Sequence, residues 1–114
     1  MKERQLDLVF QALASEARRY VMDVVRDSPG CTVADVSLHF EMSRIGVLKH
    51  INCLENAGLI VSLKNGRERQ LYVNLAPLQV IHERWSDQYR SFWASRLTGL
   101  KRAVEQAVVQ AFVD

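Results

Sequence analysis

The 114-residue chain has no apolar run long enough for a secretion signal or a membrane span. It has only two cysteines, Cys31 and Cys53. Without a secretion signal, a reduced state with two free thiols is expected rather than a disulfide. These absences predict a cytoplasmic protein that does not enter a membrane.

The residue groupings required for catalysis or metal binding are also missing. No nucleophile–base pair, acid–base carboxylate pair or phosphate-cradling glycine loop stands at a suitable spacing, which argues against an enzyme. His39 and His82 have no cysteine, histidine or aspartate neighbour at the spacing of metal ligands. We therefore expect neither a metal ion nor another cofactor.

Positive residues exceed negative residues only slightly, since the formal net charge is +2. The distribution of the charged residues along the chain is more informative. Residues 43–76 carry five Lys or Arg against two Asp or Glu, whereas residues 1–42 carry five against seven. A local basic surface concentrates partners that carry phosphate groups, so the middle of the chain is the candidate region for a nucleic-acid contact.

What is present predicts one domain, residues 1–114, because the chain is too short for two hydrophobic cores. Apolar residues at helical spacing predict a first helix over 3–13. Ser15 is a typical N-cap for a second helix. The Ser-Pro-Gly sequence at 28–30 favours a turn that ends this helix.

The next segment has the pattern of a helix-turn-helix. Thr32 and Asp35 stand at the spacing of a capping box and begin a short third helix. After a tight turn, Ser43 caps a fourth helix over 44–57, and Gly58 supplies the residue that ends it. Two helices joined by so short a turn form a unit whose second helix enters a DNA groove.

A β-hairpin follows this unit. Two β-prone runs, 59–63 and 70–75, flank Asn65-Gly66, which is a strong hairpin signal. Residues 64–70 form a basic tip, so the hairpin is interpreted as the wing of a winged helix.

The chain ends in a predicted long helix over about 77–110, with Pro77 in its first turn. This helix is longer than a small domain needs, and its aromatic stripe requires a second surface, which favours a homodimer. The predicted fold is mainly α with a small β-hairpin and has five helices. The predicted interface residues of the last helix are Leu78, Ile81, Trp85, Tyr89, Phe92, Trp93 and Leu97.

Four segments together resemble the ArsR/SmtB family of repressors. They are ALASEARR at 12–19, SRIGVLKHI and LENAGLI within 43–60, GRERQLY at 66–72, and the Trp…Tyr-Arg-Ser-Phe-Trp pattern at 85–93. The resemblance implies a winged-helix DNA-binding protein and a transcriptional repressor that binds a palindromic operator. It also implies a homodimer that associates through the first and last helices, with Leu6, Val9 and Phe10 as the interface residues of the first. Winged helices also serve as protein-docking modules, which is the alternative function.

The candidate DNA contacts lie on the fourth helix and the hairpin. They are Ser43, Arg44, Ile45, Gly46, Leu48, Lys49, His50, Asn52, Lys64, Asn65, Arg67 and Arg69. Arg44 and Lys49 are predicted to contact bases, and the wing to lie along the backbone or in the minor groove. Ile45 and Leu48 would either pack on a thymine methyl group or lie against the domain. Gly46 is interpreted as permitting a close approach of the helix to the groove.

The sequence departs from the family's metal-sensing members. Where those members have Cys-x-Cys, this chain has Thr32-Val33-Ala34, so metal sensing does not carry over. The effector is left open as an unknown small molecule or a redox signal. Cys31 lies near a helix N-terminus, which would lower the pKa of its thiol, although inert buried thiols are commoner.

Overall fold

A computed structural model describes residues 1–94 and 98–113, and within them it leaves out the side chains at positions 88, 89, 91–94 and 98–101. The elements are α1 (Glu3–Leu13), α2 (Glu16–Asp27), α3 (Val33–Ser37), α4 (Arg44–Asn56), β1 (Ile60–Asn65), β2 (Glu68–Val73), α5 (Ala76–Ala94) and α6 (Thr98–Val113). The chain divides into two compact units, Met1–Gln79 and Val80–Asp114.

The mainly helical fold with one antiparallel hairpin is confirmed, but the predicted number of helices is wrong. The described residues contain six helices rather than five, because α5 and α6 occupy the region of the single predicted final helix. Gly99 falls in the first turn of α6, where its low helix propensity costs less than in a helix interior.

Two arginines fix the connection between α1 and α2. The Arg18 guanidinium donates to the carbonyl oxygens of Ala12 (2.8 Å) and Gln11 (3.1 Å), and Arg19 donates to that of Leu13 (2.7 Å). The last carbonyls of a helix have no partner within it and attract positive charge. The paired arginines therefore cap α1, while Ser15 accepts from the Arg18 backbone N–H and caps α2 as predicted.

The caps of the helix-turn-helix are confirmed. Thr32 and Asp35 form the capping box at α3, and the backbone N–H of Thr32 holds the pKa of the Asp35 carboxyl below its usual range. At the other end of the unit, Gly58 has φ +80°. The backbone N–H groups of Gly58 and Leu59 donate to the carbonyls of Glu55 and Leu54, which is the Schellman pattern.

The hairpin differs from its prediction by one residue. Asn65 pairs with Glu68, so the turn consists of Gly66 and Arg67 rather than Asn65 and Gly66. Gly66 has φ +65° and no non-glycine residue among those described has positive φ, which fits a turn with glycine at its first central position. This register places Arg67 at the tip of the wing.

The core of the first unit draws on α1, α2, α3, α4 and both strands. Its fully buried large side chains are Val9, Val21, Val25, Val36, Val47, Ile51, Leu54, Leu59, Ile60 and Leu71. Leu6 and Val9, expected at a dimer interface, are buried in this core and leave no surface for a partner. The neighbouring Leu8 and Phe10 of α1 are exposed instead.

The second unit consists of α6 and the part of α5 from Val80 onward. Arg84 lies 5.3 Å from the ring centre of Trp85, a cation–π distance. In α6, Val108, Val109 and Phe112 are exposed. Over the described part of the chain, no helix has the length and apolarity needed to cross a membrane.

Candidate nucleic-acid interface

Helix α4 presents three different faces. Val47, Ile51 and Leu54 recur at helical spacing and are buried, which fixes the orientation of the helix on the core. The positions opposite them, Ile45, Lys49, Asn52 and Asn56, are all exposed, and we call them the outward stripe. This burial pattern makes the outward stripe the part of α4 that is free to meet a partner.

The third face of α4 borders the wing. Arg44 and Leu48 line a groove of about 230 Å³ together with residues 67–69 of the hairpin and residues 32–34. Leu48 is only partly exposed, whereas Arg44 is exposed. The two elements that were predicted to meet DNA, α4 and the wing, therefore share one groove, to which α4 contributes Arg44 and the wing contributes Arg67 and Arg69.

Four of the predicted basic contacts are open to a partner. Arg44, Lys49, Lys64 and Arg67 are exposed, and none forms an ion pair with the part of the chain that the structure describes. Asn52 and Asn65 are exposed as well. These residues form a cationic surface along α4 and the wing.

Arg69 differs from the other predicted contacts because it is already paired. Its guanidinium donates to Glu55 Oε2 and lies 3.3 Å from Ser62 Oγ, and the Ser62 hydroxyl donates to Glu55 Oε1 (2.7 Å). This network joins α4 to both strands of the wing. Arg69 is thus paired within the chain, and its contact with DNA stays a prediction.

Glu55 and Ser62 were absent from the sequence prediction. Glu55 lies on the wing side of α4, seven residues after Leu48. Arg69 lies on β2, opposite Lys64 of β1 in the strand register. The opposite charges of Glu55 and Arg69 were the available signal, but only the packing of the hairpin on α4 brings them together.

Three of the predicted DNA contacts, Ser43, Gly46 and His50, lie just before or within the first two turns of α4. Ser43 is exposed and its hydroxyl accepts the backbone N–H of Gly46 at 3.1 Å, as an N-cap does. A Cβ at Gly46 would lie 3.4 Å from Met42 Sδ, so this glycine faces the preceding turn and not the outward stripe. His50 is half-buried on the side of α4 away from the wing.

Both cysteines are free thiols, as predicted. Cys31 is 8% exposed, and its burial raises the pKa of the thiol, with the Asp35 carboxylate raising it further. The expected lowering of this pKa is wrong, because burial and the Asp35 carboxylate raise it. Cys53 is half-buried and borders a groove between α1 and α4.

Alkylation should distinguish the two thiols. At pH 8 we expect iodoacetamide to modify Cys53 before Cys31, because Cys31 is buried and its raised pKa leaves less thiolate. The measurement is the mass of each cysteine-containing peptide over time, and Cys53→Ser isolates the slower site. In urea Cys31 should react at the rate of an ordinary thiol; equal rates for both thiols in the folded protein would contradict the assignment.

The residues predicted for the dimer interface divide into described and undescribed positions. Phe10 is 45% and Trp85 53% exposed, while Leu78 and Ile81 are half-buried. The side chains of Tyr89, Phe92 and Trp93, and the whole of Leu97, lie outside the described residues. Among the described residues, no group of three or more His, Cys, Asp or Glu could hold a metal ion.

A short-turn helix-turn-helix, an exposed recognition face and a cationic wing define the class of winged helix-turn-helix DNA-binding proteins. The family model of the bacterial regulatory proteins called the arsR family matches residues 15–62. An ArsR family transcriptional regulator of known crystal structure is 33% identical with a TM-score of 0.69, over 84% of this chain and 97% of that chain.

Two regulators of Bacillus subtilis (strain 168) are also similar. The uncharacterized HTH-type transcriptional regulator YuzN is 28% identical over 85 residues, which are 69% of this chain and 92% of YuzN. The transcriptional repressor SdpR is 28% identical over 71 residues, which are 62% of this chain and 78% of SdpR. This chain belongs to the ArsR family: it is a DNA-binding transcriptional regulator, and the family is not one of enzymes.

Proposed function

We propose that the protein is a homodimeric repressor that binds a two-fold symmetric operator, with α4 in the major groove and the wing on the backbone or in the minor groove. The observation that carries the proposal is the groove lined by Arg44 of α4 and Arg67 of the wing. Positive side chains from two elements beside one exposed helix face suit a duplex, whose groove is bordered by phosphates. A protein-docking surface has no need of a cationic wing tip.

Repression follows from where the protein binds on the DNA. If the operator overlaps a promoter, the bound regulator blocks the access of other proteins to that promoter. The similarity to SdpR, which is named as a repressor, supports this direction of control.

The homodimer is supported by apolar side chains that each unit leaves exposed. Phe10 lies on α1 of the first unit and Trp85 on α5 in the second. Large exposed aromatic residues commonly mark association surfaces. A two-fold axis would repeat α4 about 34 Å away along the DNA, one helical turn, so the operator would contain two matching half-sites.

Substitution of both aromatic residues tests the dimer. We expect Phe10→Ser together with Trp85→Ser to shift the protein from dimer to monomer, because each change removes apolar area from the interface. Sedimentation velocity measures the change, and the matched control is Leu63→Ser, an exposed leucine on the wing. A dimer that persists in the double variant while circular dichroism stays unchanged would place the interface elsewhere.

Fluorescence anisotropy with labelled duplexes tests DNA binding. The expected result is tighter binding to the DNA upstream of its own gene, or to a neighbouring operator, than to a scrambled duplex. Affinity should fall as salt rises, because phosphate contacts release counterions. Affinity that depends on neither sequence nor salt would overturn the proposal and favour the docking module.

A further inference from the structure

The most exposed aliphatic side chain of α4 is Ile45, at 70%. Ile45 is the second residue of the helix and the first member of the outward stripe, opposite the buried Val47 and Ile51. Leu48 behaves differently, since it is partly covered beside the wing. The two residues therefore differ in exposure: Leu48 is partly covered beside the wing, and Ile45 projects from the outward stripe.

The surroundings of Ile45 are those of a residue that faces DNA. Arg44 precedes it, Lys49 follows it one turn later on the same stripe, and both are exposed cations. The N-terminal residues of a recognition helix contact base edges, and cations beside them are attracted by the negative charge of the duplex. Charge complementarity therefore selects a duplex, rather than an apolar protein surface, as the occupant of this face.

The base that suits an aliphatic side chain follows from the chemistry of the major groove. Guanine, cytosine and adenine present hydrogen-bonding groups there, whereas thymine also presents a 5-methyl group. A buried contact between two apolar groups is favourable, while Ile45 against a polar edge would leave that edge without a hydrogen bond.

We propose that Ile45 reads the 5-methyl group of a thymine in each operator half-site and makes that thymine a specificity determinant. The inference rests on the proposed function, because it requires α4 in a major groove. It assigns to one apolar residue a part of the base readout that arginine or lysine cannot supply.

Deoxyuridine tests the proposal, because it pairs like thymine and lacks only the methyl group. Duplexes selected by the protein from a random library give the preferred half-site. Each of its thymines is then replaced by deoxyuridine in turn, and the dissociation constant is measured by anisotropy. One replacement should weaken binding about fourfold, the expected value for a lost buried methyl group.

The same replacement in Ile45→Ala closes a double-mutant cycle. Alanine is a better helix former than isoleucine, so the variant keeps α4 intact. In Ile45→Ala the deoxyuridine penalty should disappear at that one thymine. In Leu63→Ala, which shortens an exposed leucine on the wing, the penalty should stay at about fourfold.

The outcomes separate the two proposals. If the library yields no preferred sequence, the proposed function is wrong and this inference fails with it. If a sequence is selected but no deoxyuridine weakens binding, or the penalty persists in Ile45→Ala, the repressor remains and the role of Ile45 is overturned.

Discussion

Lys49→Ala is expected to relax base preference at one operator position while leaving binding to unrelated DNA almost unchanged. Lys49 lies in the middle of the outward stripe, exposed and one turn after Ile45. A side chain at that position reaches acceptors on a base edge, and a good specific contact contributes about 1–3 kcal/mol of discrimination. The measurement is anisotropy at constant salt against the preferred duplex and its single-base variants.

Arg67→Ala is the matched comparison, since it also removes one exposed cation. Arg67 lies in the two-residue turn at the wing tip, so we expect a phosphate contact or a minor-groove contact. Its loss should weaken binding to all sequences by a similar factor and reduce the salt slope by about one unit. If Lys49→Ala and Arg67→Ala give the same profile against base variants and salt, this division of roles is wrong.

Arg69→Ala is expected to weaken both the fold and DNA binding without the change in salt slope that Arg67→Ala produces. The substitution leaves the Glu55 carboxylate, which is half-buried, without its cation. Exposed ion pairs are worth about 0.2–1 kcal/mol, so for this half-exposed pair urea unfolding should show a loss of about 1 kcal/mol. DNA binding should weaken because the wing is no longer held to α4.

Glu55→Ala gives the sharper test because two explanations predict opposite signs. If Glu55 acts only through its charge, its removal takes a negative group away from the DNA side and tightens binding. If Glu55 positions the wing through Arg69, the same change weakens binding. The double variant Glu55→Ala with Arg69→Ala should cost less than the two single losses added together; strict additivity would show that the pair is not coupled.

Local signals in the sequence were sufficient for the ends of most elements in the first unit. The capping box of Thr32 and Asp35, the N-caps Ser15 and Ser43, and the helix end at Gly58 depend on residues within five positions of one another. Such hydrogen bonds form from neighbouring backbone groups, so residue type and spacing predict them. The predicted position of the hairpin turn was wrong by one residue, because Gly66 fits either central position of a two-residue turn. Pairing between the two strands fixes the register.

The sequence by itself determined that the chain has a helix-turn-helix, a basic wing and a cationic middle, because periodicity, caps and charge are properties of the residues in order. Tertiary structure decided what each side chain of the candidate site is free to do. Only packing of the wing on α4 pairs Arg69 with Glu55 and places Leu48 in a groove with Arg67. Only packing of α4 on the core leaves Ile45 exposed. Only the core distinguishes the buried Val9 from the exposed Phe10 on α1. These contacts join residues far apart in the sequence, which is why a pattern of neighbours could not give them.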